Sequence, residues 1–284
     1  MTNSLKDKAL TAEPGQRELP GLLLLFEPGR RPDRDAMLSA LSGMPRVVVS
    51  CDPASVAVGR VPGRRALADP CPGSLEVLAD GLAFDLRGLL PGTPIVSPDV
   101  EHWFECEPGD LNDCEAVGLF PGPHLAEGAN ALPVVRTLLG LGAKLAELFS
   151  GVRSFCWTPA RTAVSSAAFA RAVNVWLDGG QFPAPGLFAL HQDADGSMRS
   201  DGFAFFIDWE FVIDRELCGD HAAATRLAAS AAHDLVGYGA PEEPREMLFG
   251  QGCIFKLELD RIAGMVKVRP SQECSQICDG LAVG

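Results

Sequence analysis

The chain has 284 residues, of which 47% are hydrophobic and 21% charged, a composition typical of a folded protein with one large core or two modest ones. Its formal net charge of −13 argues against nucleic acid and anionic membrane surfaces as partners, because contacts to phosphate groups require clustered Lys and Arg. The cysteines are scattered and the first 20 residues lack an apolar export signal, so we predict reduced thiols, a cytoplasmic protein and a disordered tail over residues 1–20.

The N-terminal half of the chain predicts a small lobe of strands with one helix. Four segments have the length and the apolar or β-branched content of strands: residues 21–27, 46–50, 74–78 and 82–86. Asp33 is placed to cap a helix over residues 34–42, and Asp80-Gly81, between the last two strands, is typical of a hairpin turn. We therefore predict an α+β lobe over residues 21–130 with a small, mainly antiparallel sheet.

Residues 88–131 differ from the rest of this lobe in their acidity, and we call them the acidic loop. Their six prolines favour an irregular conformation. The loop has no Lys or Arg, but it has eight carboxylates: Asp99, Glu101, Glu105, Glu107, Asp110, Asp113, Glu115 and Glu127. Because like charges repel, such a segment needs a cation, a basic partner or full solvation.

Three interpretations of the acidic loop stay open. It can be a solvated loop, or a surface for a basic protein partner that uses Glu105, Glu107 and Asp110. It can also be a metal site, in which the carboxylates would suit Mg²⁺, Mn²⁺ or Ca²⁺, whereas four other side chains of the loop would suit Zn²⁺: His102, Cys106, Cys114 and His124. No EF-hand series or other recognised ligand spacing is present, so we predict no specific metal ligands and no cofactor.

The C-terminal half predicts an initial helix and then strands and helices in the order βαββαβ, which is typical of a ferredoxin-like lobe. The predicted strands are residues 152–157, residues 202–214 as one long or two short strands, and residues 253–259, with a further short strand at 264–268. We therefore predict a ferredoxin-like lobe over residues 131–269, followed by a loose tail over residues 270–284.

The helices of this lobe carry clear signals at their ends. The first begins near Pro133, and the other two are capped by Ser165 or Ser166 and by Asp220. In a ferredoxin-like lobe these last two helices lie on the same face of one sheet. Four side chains at helical spacing in the second helix are expected to be buried: Phe169, Val173, Trp176 and Leu177.

Residues 155–190 read FCWTPART, then a helix, then WLDGGQFPAPGLFAL. This stretch resembles a bacterial family catalogued as domain of unknown function 4261, whose members have a strand with a Trp, a helix and a Gly-Gly-x-Phe-Pro segment. The resemblance covers about residues 133–268 and implies an α+β bacterial protein. It implies no activity and no catalytic residues.

Arg161 and Thr158 lie at the turn between a predicted strand and the following helix. There they could hold a carboxylate or a phosphate near the N-terminus of the helix, as a small-anion sensor would. Alternatively, Arg161 pairs with a buried acid such as Asp208 and locks the two lobes together. No Gly-rich phosphate loop accompanies Arg161, so we favour the structural pairing.

Asp208 and Glu210 are two residues apart in a predicted strand, where alternate side chains share a face. The pair could therefore converge for general acid–base chemistry if burial or repulsion separates their pKa values. The alternative is a strand end that carries two solvated charges.

The chain shows no G-x-S-x-G elbow and no papain-like cysteine motif, so we predict no catalytic residue. The acidic surface and the missing catalytic motifs favour a non-enzymatic protein-binding module of the regulatory, immunity or adaptor kind. Two alternatives remain: a metal-dependent hydrolase that uses the carboxylates of the acidic loop, and a small-anion sensor that uses Arg161.

Overall fold

The computed structural model describes four stretches of the chain: residues 20–52, 73–111, 113–249 and 253–271. These residues form helices packed against two mixed sheets, which confirms the predicted α+β class. The tails predicted over residues 1–20 and 270–284 lie outside the described residues, except for Pro20, Pro270 and Ser271.

The helices are α1 (Arg34–Ser42), α2 (Leu132–Leu148), α3 (Ser166–Leu177), α4 (Ala204–Ile207) and α5 (His221–Tyr238). Three of them begin at the predicted caps. The carboxylates of Asp33 and Asp220 and the hydroxyl of Ser165 accept hydrogen bonds from backbone N–H groups of the first turn. Among the described residues, no helix combines the length and the apolar content needed to cross a membrane.

The strands of the larger sheet are β1 (Leu22–Phe26), β2 (Val47–Cys51), β3 (Leu75–Ala79), β4 (Leu82–Arg87), β5 (His102–Phe104), β6 (Glu115–Pro121), β7 (Val152–Trp157) and β8 (Thr162–Ser165). Their order in the sheet is β2-β3-β4-β6-β1-β7-β8-β5, and every pairing is antiparallel except that of β5 with β8. The predicted hairpin turn between β3 and β4 is confirmed, with φ of 50° at Asp80 and 84° at Gly81.

The strands of the smaller sheet are β9 (Ala189–Gln192), β10 (Met198–Asp201), β11 (Glu210–Ile213), β12 (Arg245–Phe249), β13 (Cys253–Asp260) and β14 (Met265–Pro270). Their order in the sheet is β12-β13-β14-β11-β10-β9. β11 and β14 run parallel, and the other neighbours are antiparallel. The β9–β10 hairpin therefore forms one edge of this sheet.

The predicted ferredoxin-like arrangement of residues 131–269 is wrong. β7 and β8 belong to the larger sheet, where β7 pairs with β1, whereas β9 to β14 form the smaller sheet. α3 packs on β7 and β8, and α5 packs on β12, so the two helices do not share a sheet. The physical reason is β1, whose buried backbone needs hydrogen-bonding strands on both sides, and β7 supplies one of them.

Two other segments differ from the sequence-based predictions. The acidic loop is not irregular throughout, because it contains β5 and the whole of β6, and β6 is an interior strand between β4 and β1. Residues 202–214 do not form a strand along their whole length. Residues 204–207 form α4, and β11 starts only at Glu210.

The two sheets share one hydrophobic core, and aromatic side chains join them. Trp157 of β7 contacts Phe205 and Phe206 of α4, with ring centroids 5.2 and 6.1 Å apart. Phe206 also contacts Phe182 at 5.1 Å, and Phe182 lies 5.5 Å from Trp176 of α3. Aromatic contacts of this kind add to the free energy gained by burial, so α4 and α3 help to hold the smaller sheet on the larger one.

The predicted burial of α3 side chains is confirmed for Phe169, Val173 and Trp176, which are 2%, 1% and 5% exposed, whereas Leu177 is only partly buried. Replacing Trp176 with Ala is expected to lower the free energy of unfolding by ~3–5 kcal/mol, because it removes buried surface and leaves a cavity. The matched control is Val175→Ala, whose side chain is 53% exposed and which should change the free energy by about 0.5 kcal/mol or less. Urea denaturation measures both, and a loss below about 1 kcal/mol for Trp176→Ala would contradict the core assignment.

Asp260 holds the turn between β13 and β14. Its carboxylate accepts hydrogen bonds from the backbone N–H groups of Ile262 and Ala263, at 3.0 and 2.9 Å, and from the ammonium of Lys267. Lys267 first, and then these backbone donors, lower the pKa of Asp260 from 3.8 to about 2.

Because the pKa of Asp260 is lower in the folded chain, its carboxylate stabilises the fold above about pH 4, and this stabilisation is lost as the pH falls through about 2. The substitution Lys267→Met is expected to raise the pKa of Asp260 towards 3.8, as an NMR titration of the carboxyl group would show. The control is Lys256→Met, four residues before Asp260 on β13, which should leave the pKa of Asp260 unchanged. An unaltered titration in the Lys267 variant would contradict the assigned cause.

Candidate functional site

Two histidines and one aspartate meet where the edges of the two sheets come together. His102 is the first residue of β5, His191 lies on β9, and Asp201 is the last residue of β10. Oδ2 of Asp201 lies 3.5 Å from Nε2 of His102 and 3.4 Å from Nε2 of His191. The two imidazole rings meet edge to face, with centroids 4.6 Å apart.

The larger sheet presents His102 from its edge. β5 runs parallel to β8, with His102 opposite Thr162. The carbonyl of Arg161 accepts hydrogen bonds from the N–H groups of Glu101 and His102, at 2.9 and 3.4 Å. Arg161 adopts a left-handed conformation, with φ of 49°, at the end of the turn that follows β7. This turn therefore fixes the start of β5 and the position of His102.

The smaller sheet presents the other two side chains from the β9–β10 hairpin. His191 lies directly opposite Arg199, and Asp201 follows Arg199 by two residues. Residues directly opposite in an antiparallel pair, and alternate residues of one strand, share a face of the sheet. His191, Arg199 and Asp201 therefore project from the same face of the hairpin.

Gly202 allows this hairpin to approach the larger sheet closely. Its φ is 84°, and a Cβ atom at this position would lie 2.3 Å from Cβ of Ala160. Ala160 directly precedes Arg161, so the contact places Asp201 beside the start of β5. Only a residue without a side chain fits both the backbone conformation and the space.

Glu210 holds the backbone on the other side of Asp201. Its carboxylate accepts hydrogen bonds from the N–H groups of Gly202, Phe203 and Ala204, at 2.9, 3.2 and 3.0 Å, and from the hydroxyl of Ser200. A carboxylate at the start of a short helix satisfies N–H groups that have no partner within the helix. Glu210 is therefore a positioning residue for the segment that follows Asp201.

The three side chains match a transition-metal site in chemistry and spacing. Zn²⁺ binds imidazole nitrogen and carboxylate oxygen at about 2.0–2.2 Å in tetrahedral geometry, which places neighbouring donor atoms about 3.3 Å apart. The two nitrogen–oxygen distances of 3.4 and 3.5 Å agree with this value. All three donor atoms lie within 4.8 Å of one another, and His191 is the more exposed of the two histidines.

Nε2 of His102 is buried and has no hydrogen-bond partner within the described part of the chain. A buried polar atom without a partner costs free energy, and such atoms are rare in folded proteins. The atom lies 3.5 Å from Oδ2 of Asp201, and the ring that carries it contacts the ring of His191. A bound cation would satisfy it.

Arg161 and Thr158, the residues predicted as a possible anion site, both make contacts within the chain. Nη1 of Arg161 pairs with Glu101 at 2.6 Å, so the predicted pairing with Asp208 is wrong. The hydroxyl of Thr158 exchanges hydrogen bonds with the backbone N–H and C=O of Gly21, at 2.9 and 3.2 Å, and so holds the residue before β1. Arg161 does line a surface pocket, together with Thr158 and Pro159.

Asp208 and Glu210 do not form a convergent carboxylate pair on one strand. Asp208 caps the C-terminus of α4 in a left-handed conformation, with φ of 64°, whereas Glu210 begins β11. The strand periodicity on which the predicted pairing depended is therefore absent at Asp208. The Glu210 carboxylate is also fully occupied by the hydrogen bonds at the start of α4.

Several carboxylates of the acidic loop are neutralised by arginines of the same chain. Glu105 makes a bidentate contact to Nη2 of Arg171, at 2.9 and 3.1 Å, and Glu101 pairs with Arg161. Asp110 lies in the short 3-10 helix over residues 108–111 and Glu107 directly precedes it, and no group of potential metal ligands among the described residues includes Glu107. The structure thus gathers metal-binding groups at His102 and not at the predicted carboxylates.

Sequence reasoning did not assemble His102, His191 and Asp201 into one site. The sequence does contain a signal for His191 and Asp201, because residues 193–196 have the composition of a turn. In the structure these residues form the turn of a hairpin that closes at Asp193 and Ser197. Reading this turn would have paired the strands and placed His191 near Asp201. No local signal could have linked them to His102, which reaches the hairpin only through the packing of the two sheets.

Comparison with protein-family models finds no matching family, and comparisons with curated proteins and with solved structures find no similar protein. The functional assignment therefore depends on the geometry of the site.

The close approach at Gly202 gives a direct test of how the site is built. The substitution Gly202→Ala is expected to lower the free energy of unfolding by about 3 kcal/mol or more. The new methyl group would collide with Ala160, and alanine is also unfavourable at a positive φ. The control is Gly196→Ala, which has a similar φ of 89° but a nearest neighbour 3.8 Å away, so it should cost about 1 kcal/mol. Thermal and urea denaturation compare the two, and equal costs would show that the Ala160 contact does not constrain the hairpin.

Proposed function

We propose that this chain binds one divalent transition-metal ion, with Zn²⁺ as the representative ion, through His102, His191 and Asp201. The observation that carries the proposal is the convergence of both Nε2 atoms on Oδ2 of Asp201 at distances suited to a tetrahedral ion. The burial of Nε2 of His102, which makes no hydrogen bond within the described residues, also supports it.

The donor set indicates which ions fit. Mg²⁺ and Ca²⁺ prefer sites made of oxygen ligands, whereas imidazole nitrogen suits Zn²⁺, Fe²⁺, Ni²⁺ and Cu²⁺. Two histidines and one carboxylate are also the ligands of several catalytic zinc sites and of non-haem iron sites. The proposed metal function therefore differs from the hard-cation site considered for the acidic loop.

The exposure of the ligands favours an accessible ion over a closed structural site. The side chains of His191 and Asp201 are 43% and 44% exposed, and that of His102 is 17% exposed. Three protein ligands leave at least one coordination position for water or a ligand. A zinc ion in such a site lowers the pKa of its bound water and can polarise a carbonyl or phosphoryl group, so the proposal includes metal-dependent hydrolysis.

The other functional interpretations have less support. The proposal that Glu105, Glu107 and Asp110 bind a basic protein is supported by the net charge of the chain alone. Glu105 already pairs with Arg171. An anion sensor built on Arg161 would have to compete with Glu101. The resemblance of residues 155–190 to domain of unknown function 4261 stays a prediction and contributes no residue to the site.

Isothermal titration of the metal-free, fully reduced protein with Zn²⁺ tests the proposal. We expect one equivalent to bind at the site, and His102→Ala or His191→Ala to weaken this binding at least tenfold by removing one of three ligands. His124→Ala is the matched control, because His124 is exposed and belongs to the same acidic loop. Zinc should also raise the melting temperature of the wild type but not of the His102 variant, since only the folded site binds it.

The comparison of variants separates the site from adventitious binding by thiols elsewhere in the chain. Zinc binding that is the same in the wild type and in the His102 and His191 variants would contradict the proposal. So would a loss of affinity in His124→Ala as large as that in the other two.

A further inference from the structure

Arg199 is the cation nearest to the proposed metal ligands on their own hairpin. It lies directly opposite His191 and two residues before Asp201, so all three project from one face. Side chains directly opposite in an antiparallel pair have Cβ atoms about 4.5–5.5 Å apart. Arg199 therefore projects from the face of the hairpin that carries two of the three proposed ligands.

The guanidinium of Arg199 retains free hydrogen-bonding capacity. Its one ion pair in the described part of the chain is a single contact of 3.3 Å between Nη2 and Asp193. Exposed pairs of this kind are weak, and a guanidinium has five N–H donors in a planar fork. The side chain is 46% exposed, so an incoming anion can reach it from solvent.

The charges at the site also favour an anion once the ion is bound. The double charge of the ion exceeds the single charge of Asp201, and the histidines bind metals in their neutral form. Arg199 and Arg161 are each balanced by an acid, Asp193 and Glu101. The metal-loaded site is therefore locally positive, although the chain as a whole carries a net charge of −13.

We propose that the metal centre takes a phosphate group, held between the ion and the guanidinium of Arg199. This inference rests on the metal site proposed above and names its ligand class. A phosphate has several oxygens, so one can occupy the open position of the ion while others accept hydrogen bonds from the arginine fork. The ligand is either free phosphate or the phosphate of a small monoester.

The experiment uses the full chain loaded with Zn²⁺ and freed of excess ion by gel filtration, with the zinc content measured before each titration. Calorimetric titration with inorganic phosphate is expected to show saturable 1:1 binding. Phosphate should bind the metal-free protein at least tenfold more weakly. A parallel titration with phenyl phosphate distinguishes the two sources, since tight binding of phenyl phosphate indicates a monoester and binding of inorganic phosphate alone indicates the free ion.

The variant Arg199→Gln is expected to weaken phosphate binding about tenfold, because it removes a charge-assisted contact. Arg199→Lys should recover part of this loss, since it restores the charge without the planar fork. The matched control is Arg269→Gln on β14. Arg269 is 43% exposed and pairs with Glu258 at 3.3 Å, which closely reproduces the surroundings of Arg199. It should change the affinity less than twofold.

Three results would overturn the inference: no phosphate binding by protein that holds one zinc, equal binding by metal-free and metal-loaded protein, or equal losses in the Arg199 and Arg269 variants. A protein that retains zinc through His102 and His191 but binds no phosphate leaves the proposed metal function intact. A protein that retains no zinc at these residues contradicts the metal function itself, so the two failures are distinguishable.

Discussion

The burial of β1 on both faces is the constraint from which the position of the candidate site follows. Leu22, Leu24 and Phe26 enter the main core, whereas Leu23 and Leu25 face the other side of the sheet. A strand that is apolar on both faces needs cover on both. α2 covers one face, and apolar residues of the acidic loop, including Ile95 and Leu111, cover the other. The acidic loop is therefore held against the sheet, and β5 with His102 is held with it.

Local chemistry explains why so many elements could be predicted. Asp33, Ser165 and Asp220 cap their helices through hydrogen bonds that involve only the next few residues, and Asp80-Gly81 turns the chain within a single hairpin. Strand pairing does not follow from local chemistry. The order βαββαβ after residue 152 fits a ferredoxin-like lobe, but the order of elements does not say which strand each one joins. β7 pairs with β1, which precedes it in the sequence by more than 100 residues, as the pairing of Leu22 with Trp157 shows.

The candidate site was less predictable than the fold because it depends on contacts between the sheets. The acidic composition indicates a binding surface at Glu105 and its neighbours, yet arginines from other elements pair with Glu101 and Glu105. The histidines are few and have no motif spacing, and they become neighbours only because Gly202 lets the hairpin pack against Ala160. The sequence predicts Glu210 as a partner of Asp208 in a carboxylate pair, whereas its carboxylate orders the backbone beside Asp201.

The position of β1 in the larger sheet has a consequence for biosynthesis. Leu22 pairs with Leu119 on one side and with Trp157 on the other, so the most apolar strand is synthesised long before either neighbour. At about 5–20 residues per second, the ribosome needs on the order of ten seconds to complete the second partner. Such long-range pairing slows folding and leaves an apolar strand open to non-native association in the meantime. A nascent chain of this kind is a natural client for a chaperone that shields short apolar segments.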